Sequence, residues 1–339
     1  MNAREIWIGS DPLSTLTRAA LWPLSLAYGL ASGARRALYA AGALPVHAAA
    51  VPCISIGNLT AGGTGKTPVA AWLAARLHAR ARTAIVLRDY RGDESEVHRR
   101  LNPAVMVVAN PDRVAGVRQA REAGARVAVL DDAFQHRRIA RVADVALLAL
   151  EQVRRPRRLL PAGPWREPLS AAGRADLLVL TRKSGSAAEA RQELERLAAR
   201  FPSTPTASVY LAPGGLEGAN GREARPLDSL RGAAVLAIAA IGEPLSFRQQ
   251  LDQLGARTTL VAFNDHHAFT SAEAQGLAAT APDALAVCTL KDAVKLAPLW
   301  PASRALWYVS QRLVVEEGAE HFDRLCARVL EHVDSPIAG

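Results

Sequence analysis

A chain of 339 residues, 50% of them hydrophobic, can bury a substantial core and is long enough for two domains, so disorder is excluded. Its three cysteines, Cys53, Cys288 and Cys326, have neither paired nor metal-like spacing, which excludes a disulfide framework and fits a reducing compartment. The net charge of +9 favours anionic partners. However, with 5% aromatics and no basic stretch interleaved with aromatic residues, a stacking platform for single-stranded nucleic acid is absent, and no nucleic-acid partner is expected.

Between Arg18 and Arg35 lie sixteen residues without a charge, "AALWPLSLAYGLASGA". That is short for a bilayer span, which needs about 20 apolar residues, and Pro23, Gly29 and Gly33 interrupt it. The composition suits a helix lying in a membrane interface, with its apolar side down and its arginines toward anionic headgroups. A core helix pair is the competing reading. A secretory signal is disfavoured by Glu5 and Asp11, which spoil a basic leading region.

From Pro52 onward, short β-rich runs alternate with helical patterns, the signature of a parallel sheet covered by helices on both faces. Strands are predicted at 53–56, 83–87, 105–108, 127–130 and 145–150. Helical spacing of Val69, Trp72, Leu73 and Leu77 follows the first strand. Asn110 is placed as a helix cap, with Pro111 in the first turn and Gly124 ending that helix. The basic, proline-rich stretch 151–168 reads as a connector, so domains are placed at 1–45, 46–152 and 153–339. Further strands are predicted at 176–180, 207–211, 234–241, 259–263, 285–290 and 305–309, and the closing helix at 321–333 is compatible with packing on either domain.

Four motifs carry chemistry. The first, "TAGGTGKT" (Thr60, Ala61, Gly62, Gly63, Thr64, Gly65, Lys66, Thr67), lies between a strand and a helix, the context of a phosphate-binding loop. Its glycines let backbone amides point inward, Lys66 reaches β and γ phosphates, and the Thr67 hydroxyl joins a magnesium shell. Thr60 stands where the usual pattern has its first glycine. The second motif, "VAVLDD", ends a strand with Asp131 and Asp132, acids suited to magnesium-bound water. The third, "RGDESEV", puts Asp93 and Glu94 after the second strand. On an extended backbone their side chains diverge, leaving one free to accept a hydroxyl proton and the other to support a metal; solvent-exposed loop acids are the plain alternative. The fourth, "FNDHHAF", joins Asp265, His266 and His267, whose spacing does not suit zinc.

Together these segments, with "LLPAGPWREPLSAAGRAD" and "LKDAVKL", resemble the tetraacyldisaccharide 4'-kinase family in order and nearly end to end. The resemblance implies two α/β/α domains of the phosphate-loop type with parallel-rich sheets and a cleft between them, plus an N-terminal membrane-associated helix. It implies transfer of phosphate from ATP, with Mg2+, to an acylated disaccharide lipid at the cytoplasmic face of the bacterial inner membrane. Peripheral or monotopic attachment to anionic lipid follows, and no obligate protein partner is expected. Thr60 is then an ordinary family feature. The resemblance further implies Asp93 as catalytic base, Glu94 as metal support and a histidine of the "DHH" segment, here His266, as partner of the base. Gln135, Arg137, Arg166 and Glu167 become candidates for binding nucleotide or the existing phosphate of the glycolipid. Departures are "LRDYRGD" for "SRGYGG", Ala133 for a glycine, and Leu290 for an acid in "TLKD". A partitioning-type ATPase is the nearest rival, but its signature lysine is replaced by Ala61. A guanine-binding switch protein would need an Asn-Lys-x-Asp motif, which "LTRKS" only approximates.

Overall fold

The computed structural model describes residues 3–89, 92–221, 223–242 and 244–333; Tyr90 and Arg91, part of the "LRDYRGD" departure, lie outside them. The described residues form two compact units, one built from segments up to 90, 98–211 and from 313 onward, the other from 91–97 and 212–312. The sequence-based boundary at 152/153 falls inside the first unit. The reason is pairing: the strands on either side of the 151–168 stretch are hydrogen-bonded neighbours in parallel.

In chain order the first unit contains α1 (Ala3–Ile8), α2 (Pro12–Ala40), β1 (Cys53–Asn58), α3 (Lys66–His78) and β2 (Thr83–Leu87). Next comes α4 (Asp93–Leu101), whose last four residues belong to this unit, followed by β3 (Met106–Ala109), α5 (Arg113–Glu122), β4 (Val127–Leu130) and β5 (Ala143–Ala149). The series continues through α6 (Leu150–Val153), β6 (Leu177–Arg182), α7 (Ala187–Arg200) and the start of β7 (Thr206–Gly218). The strand order is β7-β6-β5-β1-β4-β2-β3, all parallel. Strands covered on both faces should be continuously apolar rather than alternating, and β1, β2 and β4 are buried at every position. The chain travels to one side of β1 through β4, β2 and β3 and to the other through β5 and β6. The carboxyl end of β1 is therefore a topological switch point, where open α/β sheets bind ligands.

The second unit carries the rest of β7, then β8 (Ala224–Arg225), β9 (Ala234–Ala239), α8 (Pro244–Gln253), β10 (Arg257–Ala262) and α9 (Ser271–Ala279). It continues with β11 (Leu285–Cys288), α10 (Leu290–Leu296) and the start of β12 (Leu306–Glu317). Its strand order is β10-β9-β11-β12-β7, with the two-residue β8 antiparallel on β7. The sequence pattern underestimates β7 and β12, whose later residues are less apolar.

Two local expectations are corrected. Asp112, not Asn110, caps α5 by accepting from the Val114 amide; Asn110 instead accepts from the Asp112 amide and shapes the turn before it. Asp93 and Glu94 lie in the first turn of α4, not on an extended backbone. Their side chains still diverge, because successive helical residues are about 100° apart.

Helix α2 is polar inward and apolar outward. Its buried residues are Ser14 and Ser25, whereas Leu13, Leu16, Trp22, Leu24 and Leu30 are all more than half exposed. Ser25 donates to the Leu159 carbonyl at 3.0 Å and accepts from the Ala162 amide at 2.9 Å, and Tyr28 donates to the Arg166 carbonyl at 3.0 Å. No helix among the described residues is long and apolar enough to cross a membrane.

The closing helix α11 (Ala319–Glu331) packs on the first unit, where Phe322, Leu325 and Val329 join the core that β1, α3 and β2 share. Phe322 meets Trp72 of α3 edge-on, with centroids 5.0 Å apart. Phe322→Ala is expected to lower stability by about 3–5 kcal/mol, the usual loss for a buried Phe, read as a drop in the urea midpoint. An unchanged midpoint would separate α11 from this core.

Candidate active site

The first group of chemical side chains gathers at the carboxyl end of β1. The loop leaves β1 after Asn58 and returns as α3 at Lys66, turning through left-handed glycines, Gly62 at φ 111° and Gly65 at φ 83°. Only glycine takes such angles without strain, and a Cβ on Gly65 would also lie 2.4 Å from a methyl of Leu211. The loop is pinned on several sides. The buried Thr60 hydroxyl pairs with Gln152, and the Ala61 amide donates to the Pro164 carbonyl at 2.6 Å. Thr64 accepts from Asn58 through its hydroxyl and from the Thr181 hydroxyl through its carbonyl, each at 2.8 Å. Lys183 donates to the Gly63 carbonyl at 2.8 Å.

Lys66 opens α3, with its ammonium 3.8 Å from Asp132 Oδ1, and Arg166 Nη1 is 2.7 Å from the same oxygen. Burial pushes the Asp132 carboxyl upward, yet Lys66 and Arg166 outweigh it and hold it below the ordinary carboxylate value. Asp132 is itself left-handed, φ 48°, an unusual state for a non-glycine residue. Arg113 holds that turn by donating to the carbonyls of Asp131 and Asp132 at 2.7 and 2.8 Å.

The two strand-end acids divide. Asp132 sits among the cations at the loop. Asp131 is buried, with Oδ2 2.9 Å from Nε2 of the fully buried His98 and Oδ1 accepting from the Asp132 amide at 2.8 Å. Thr67 follows Lys66 in the first turn of α3. A hydroxyl and a carboxylate are the hard oxygen donors magnesium takes, with phosphate and water completing the shell. Thr67 and Asp132 fit that ion, whereas no group of three or more His, Cys, Asp or Glu among the described residues would cage a metal alone.

The four candidates for nucleotide or glycolipid binding also separate. Arg166 reaches Asp132, and Gln135 donates to the Asn58 carbonyl at 2.8 Å. Arg137 donates to the Arg36 carbonyl of α2 at 3.1 Å. Glu167 is 3% exposed and is consumed by Arg174 at 2.8 Å and Arg36 at 3.3 Å. Such a carboxylate fixes α2 to the unit and has no surface left for a ligand.

The second group lies in the second unit. Asp93 starts α4, and its Oδ2 is 3.2 Å from Nδ1 of His266. The Asp93 side chain is 8% exposed while that of His266 is 40% exposed, so the carboxylate is buried and its imidazole partner is open to solvent. His267 points elsewhere: its Nε2 meets Glu273 at 3.0 Å and its ring stacks on Phe263 at 4.8 Å. Glu94 Oε1 is 3.4 Å from the Lys291 ammonium. Sequence reasoning passed over Gln152, Thr181, Lys183, His98 and Arg113. Only Lys183 carried a signal, as one of just four lysines in an arginine-rich chain.

A phosphate loop at a sheet switch point, its lysine and a strand-end acid define a nucleotide-binding α/β protein of the phosphate-loop class. The family profile described as LpxK, tetraacyldisaccharide-1-P 4'-kinase, matches residues 17–104 and 91–330. A tetraacyldisaccharide 4'-kinase of Anaeromyxobacter dehalogenans (strain 2CP-1) is 39% identical over 87% of this chain and 85% of its own length. One from Vibrio cholerae (strain N16961) is 32% identical over all of both chains. The crystal structure of the "apo" form of LpxK from Aquifex aeolicus in complex with ATP aligns with TM-score 0.74 and 30% identity, covering 92% of this chain and 99% of that one. The chain belongs to the tetraacyldisaccharide 4'-kinase family.

His136, in the same segment as Gln135, has a buried Nε2 that lacks a hydrogen-bond partner among the described residues. Burial, and then the guanidinium groups of Arg113, Arg88, Arg141 and Arg35, push its pKa down to about 4. The unfolded chain, with an ordinary value of about 6.5, binds the proton first. Stability from this group is therefore complete above that value, is lost as pH falls toward 4, and changes no further below. Urea midpoints measured from pH 7 to 4 are expected to fall less steeply for His136→Gln than for the unsubstituted protein. Parallel curves would refute the shift.

Proposed function

We propose that this protein transfers the γ-phosphate of ATP to the 4'-hydroxyl of a tetraacylated glucosamine disaccharide 1-phosphate, forming lipid IVA in lipid A biosynthesis. The observation that carries the reading is the Asp93–His266 pair at 3.2 Å in a chain that also carries the loop lysine and belongs to this family. A nucleotide switch or a partitioning ATPase has no alcohol to deprotonate and no need of such a pair.

Lys66 and the loop amides neutralise charge on the β and γ phosphates, and the helix N-terminus behind them adds its positive end. Arg166, bound to Asp132, is placed to follow the same anion. Magnesium, when bound, neutralises developing phosphoryl charge; Thr67 and Asp132 would hold it, with Asp131 fixing the turn that carries Asp132. Glu94 holds Lys291 and is the weaker candidate for metal support. Asp93 accepts the proton of the attacking hydroxyl. His266 Nδ1 orients the receiving carboxylate.

The acceptor's acyl chains require a lipid surface, and the outward leucines of α2 with Trp22 supply an apolar face of interfacial type. On this reading the enzyme works peripherally on the cytoplasmic face of the inner membrane, where Arg35, Arg36 and the net positive charge favour anionic headgroups.

Incubation with ATP labelled at the γ position and a tetraacylated disaccharide 1-phosphate is expected to label the lipid. ATP consumption without labelled lipid would overturn the assignment. In the same assay Asp93→Ala is expected to reduce turnover by about 10²-fold or more, the usual scale of a general base, with little change in nucleotide affinity. Turnover at the original rate would remove Asp93 as base. Leu16→Glu with Leu30→Glu, both at exposed positions of α2, is expected to lower partitioning onto vesicles containing anionic phospholipid; equal partitioning would remove α2 as the contact.

A further inference from the structure

Apart from Lys291, which meets Glu94, the segment "TLKDAVKL" has no part in the chemistry described so far, yet it contains two of the chain's four lysines and a carboxylate that is 0% exposed, Asp292. Thr289 caps α10 by accepting from the Asp292 amide, and its hydroxyl donates to Asp292 Oδ2 at 2.7 Å. The same oxygen accepts from the Ala240 amide at 3.1 Å. Asp292 Oδ1 lies 3.3 Å from the Lys295 ammonium, one turn along α10, as an ion pair without hydrogen-bond alignment.

Both members of this pair reach the turn that presents His266. Ala240, held through its amide by Asp292, accepts from the His266 amide through its carbonyl at 3.2 Å. Lys295 donates to the His267 carbonyl at 3.3 Å while lying over the Phe269 ring at 5.5 Å. His266 thus has one of these contacts on each side of it. The residue between them needs holding, because His266 has φ 59°, a left-handed state that a non-glycine residue keeps only where its surroundings impose it. The turn is closed locally by the His267 amide donating to the Asn264 carbonyl at 3.0 Å; the two contacts from α10 add the outside support that sets where it presents Nδ1 to Asp93. The His267 ring adds a third support to the same turn through Glu273 and Phe263.

We propose that Asp292 and Lys295 are positioning residues of the transfer reaction, clamping the Asp265–His267 turn so that His266 meets Asp93. They touch neither nucleotide nor acceptor. The inference rests on the reading of Asp93 and His266 as the catalytic pair, and the test separates the two.

The test is a double-mutant cycle of Lys295→Met and His266→Ala, reading kcat and KM for ATP, with circular dichroism to verify folding. Lys295→Met is expected to lower kcat by about tenfold to a hundredfold, the scale of a misplaced group, with KM for ATP unchanged and Lys295→Arg restoring most of the loss. In the His266→Ala background the same substitution is expected to cost nothing further, because there is no imidazole left to aim. Losses that multiply, or a Lys295→Met enzyme with full kcat, would overturn the proposal. A His266→Ala enzyme with full kcat would remove the catalytic pair itself, and the clamp with it. Should Lys295→Met fail to fold by stranding a buried carboxylate, Asp292→Asn with Lys295→Met removes both charges together and carries the same expectations.

Discussion

The first unit is organised around one backbone event, the reversal between the buried end of β1 and the start of α3. Two left-handed glycines make that reversal possible, and the packing of Gly65 against Leu211 leaves no room for a side chain. The remaining contacts prevent collapse. Thr64 is held on both its hydroxyl and its carbonyl, and Lys183 holds the Gly63 carbonyl. The Ala61 and Thr64 amides are taken by the Pro164 and Gly62 carbonyls, so it is the remaining amides of the curl that an anion would use. Thr60 can stand at the usual first-glycine position because its hydroxyl has a buried partner in Gln152.

The strands of the first unit were legible because a parallel sheet covered on both faces demands uninterrupted apolar runs. β2 and β4 coincide with the predicted segments, β1 runs two residues past its own, and β5 begins two residues before its own and ends one short. The phosphate loop was legible for a related reason, since glycine spacing, lysine and threonine are local in sequence. What could not be read is whatever depends on tertiary partners. No pattern announces that Asp131 meets His98, 33 residues away, rather than facing the loop beside Asp132. Nor does "WREP" reveal that its glutamate is locked between Arg36 and Arg174. Sequence chose His266 over His267 only by its place directly after Asp265; the Glu273 bond and aromatic surroundings that turn the second ring aside are tertiary. The connector at 151–168 misled for a physical reason: prolines and arginines mark an irregular backbone, but irregular backbone can be packed as tightly as a helix, and Trp165 there is 1% exposed.

Helix α4 shows local and tertiary rules acting together. Its first turn holds Asp93, Glu94 and Glu96, and its last holds His98, Arg99 and Arg100, so charge runs with the helix dipole and stabilises both ends. That arrangement makes a helix of a segment whose glycine and acids look like a loop. Once helical, the segment fixes Asp93 relative to its own axis. Asp93 is therefore carried by regular structure, which holds a side chain more exactly in place than a free loop does.

The inversion of α2 explains why hydrophobic periodicity left its role open. Periodicity identifies an apolar face but not its direction, and in globular proteins that face ordinarily points inward. Here the inward surface is made of hydrogen-bonding groups matched one to one with backbone partners, which costs little because each buried polar atom is satisfied. The matching also has a spatial consequence. Tyr28 of α2 donates to the Arg166 carbonyl, the Arg166 side chain binds Asp132, and Asp132 lies beside Lys66. The helix with the apolar outer face is thus joined to Lys66 through two intervening residues of the same compact unit. Any displacement of α2 must be absorbed by Arg166 and Asp132, and the left-handed backbone of Asp132, clamped by Arg113, has few other conformations to absorb it with.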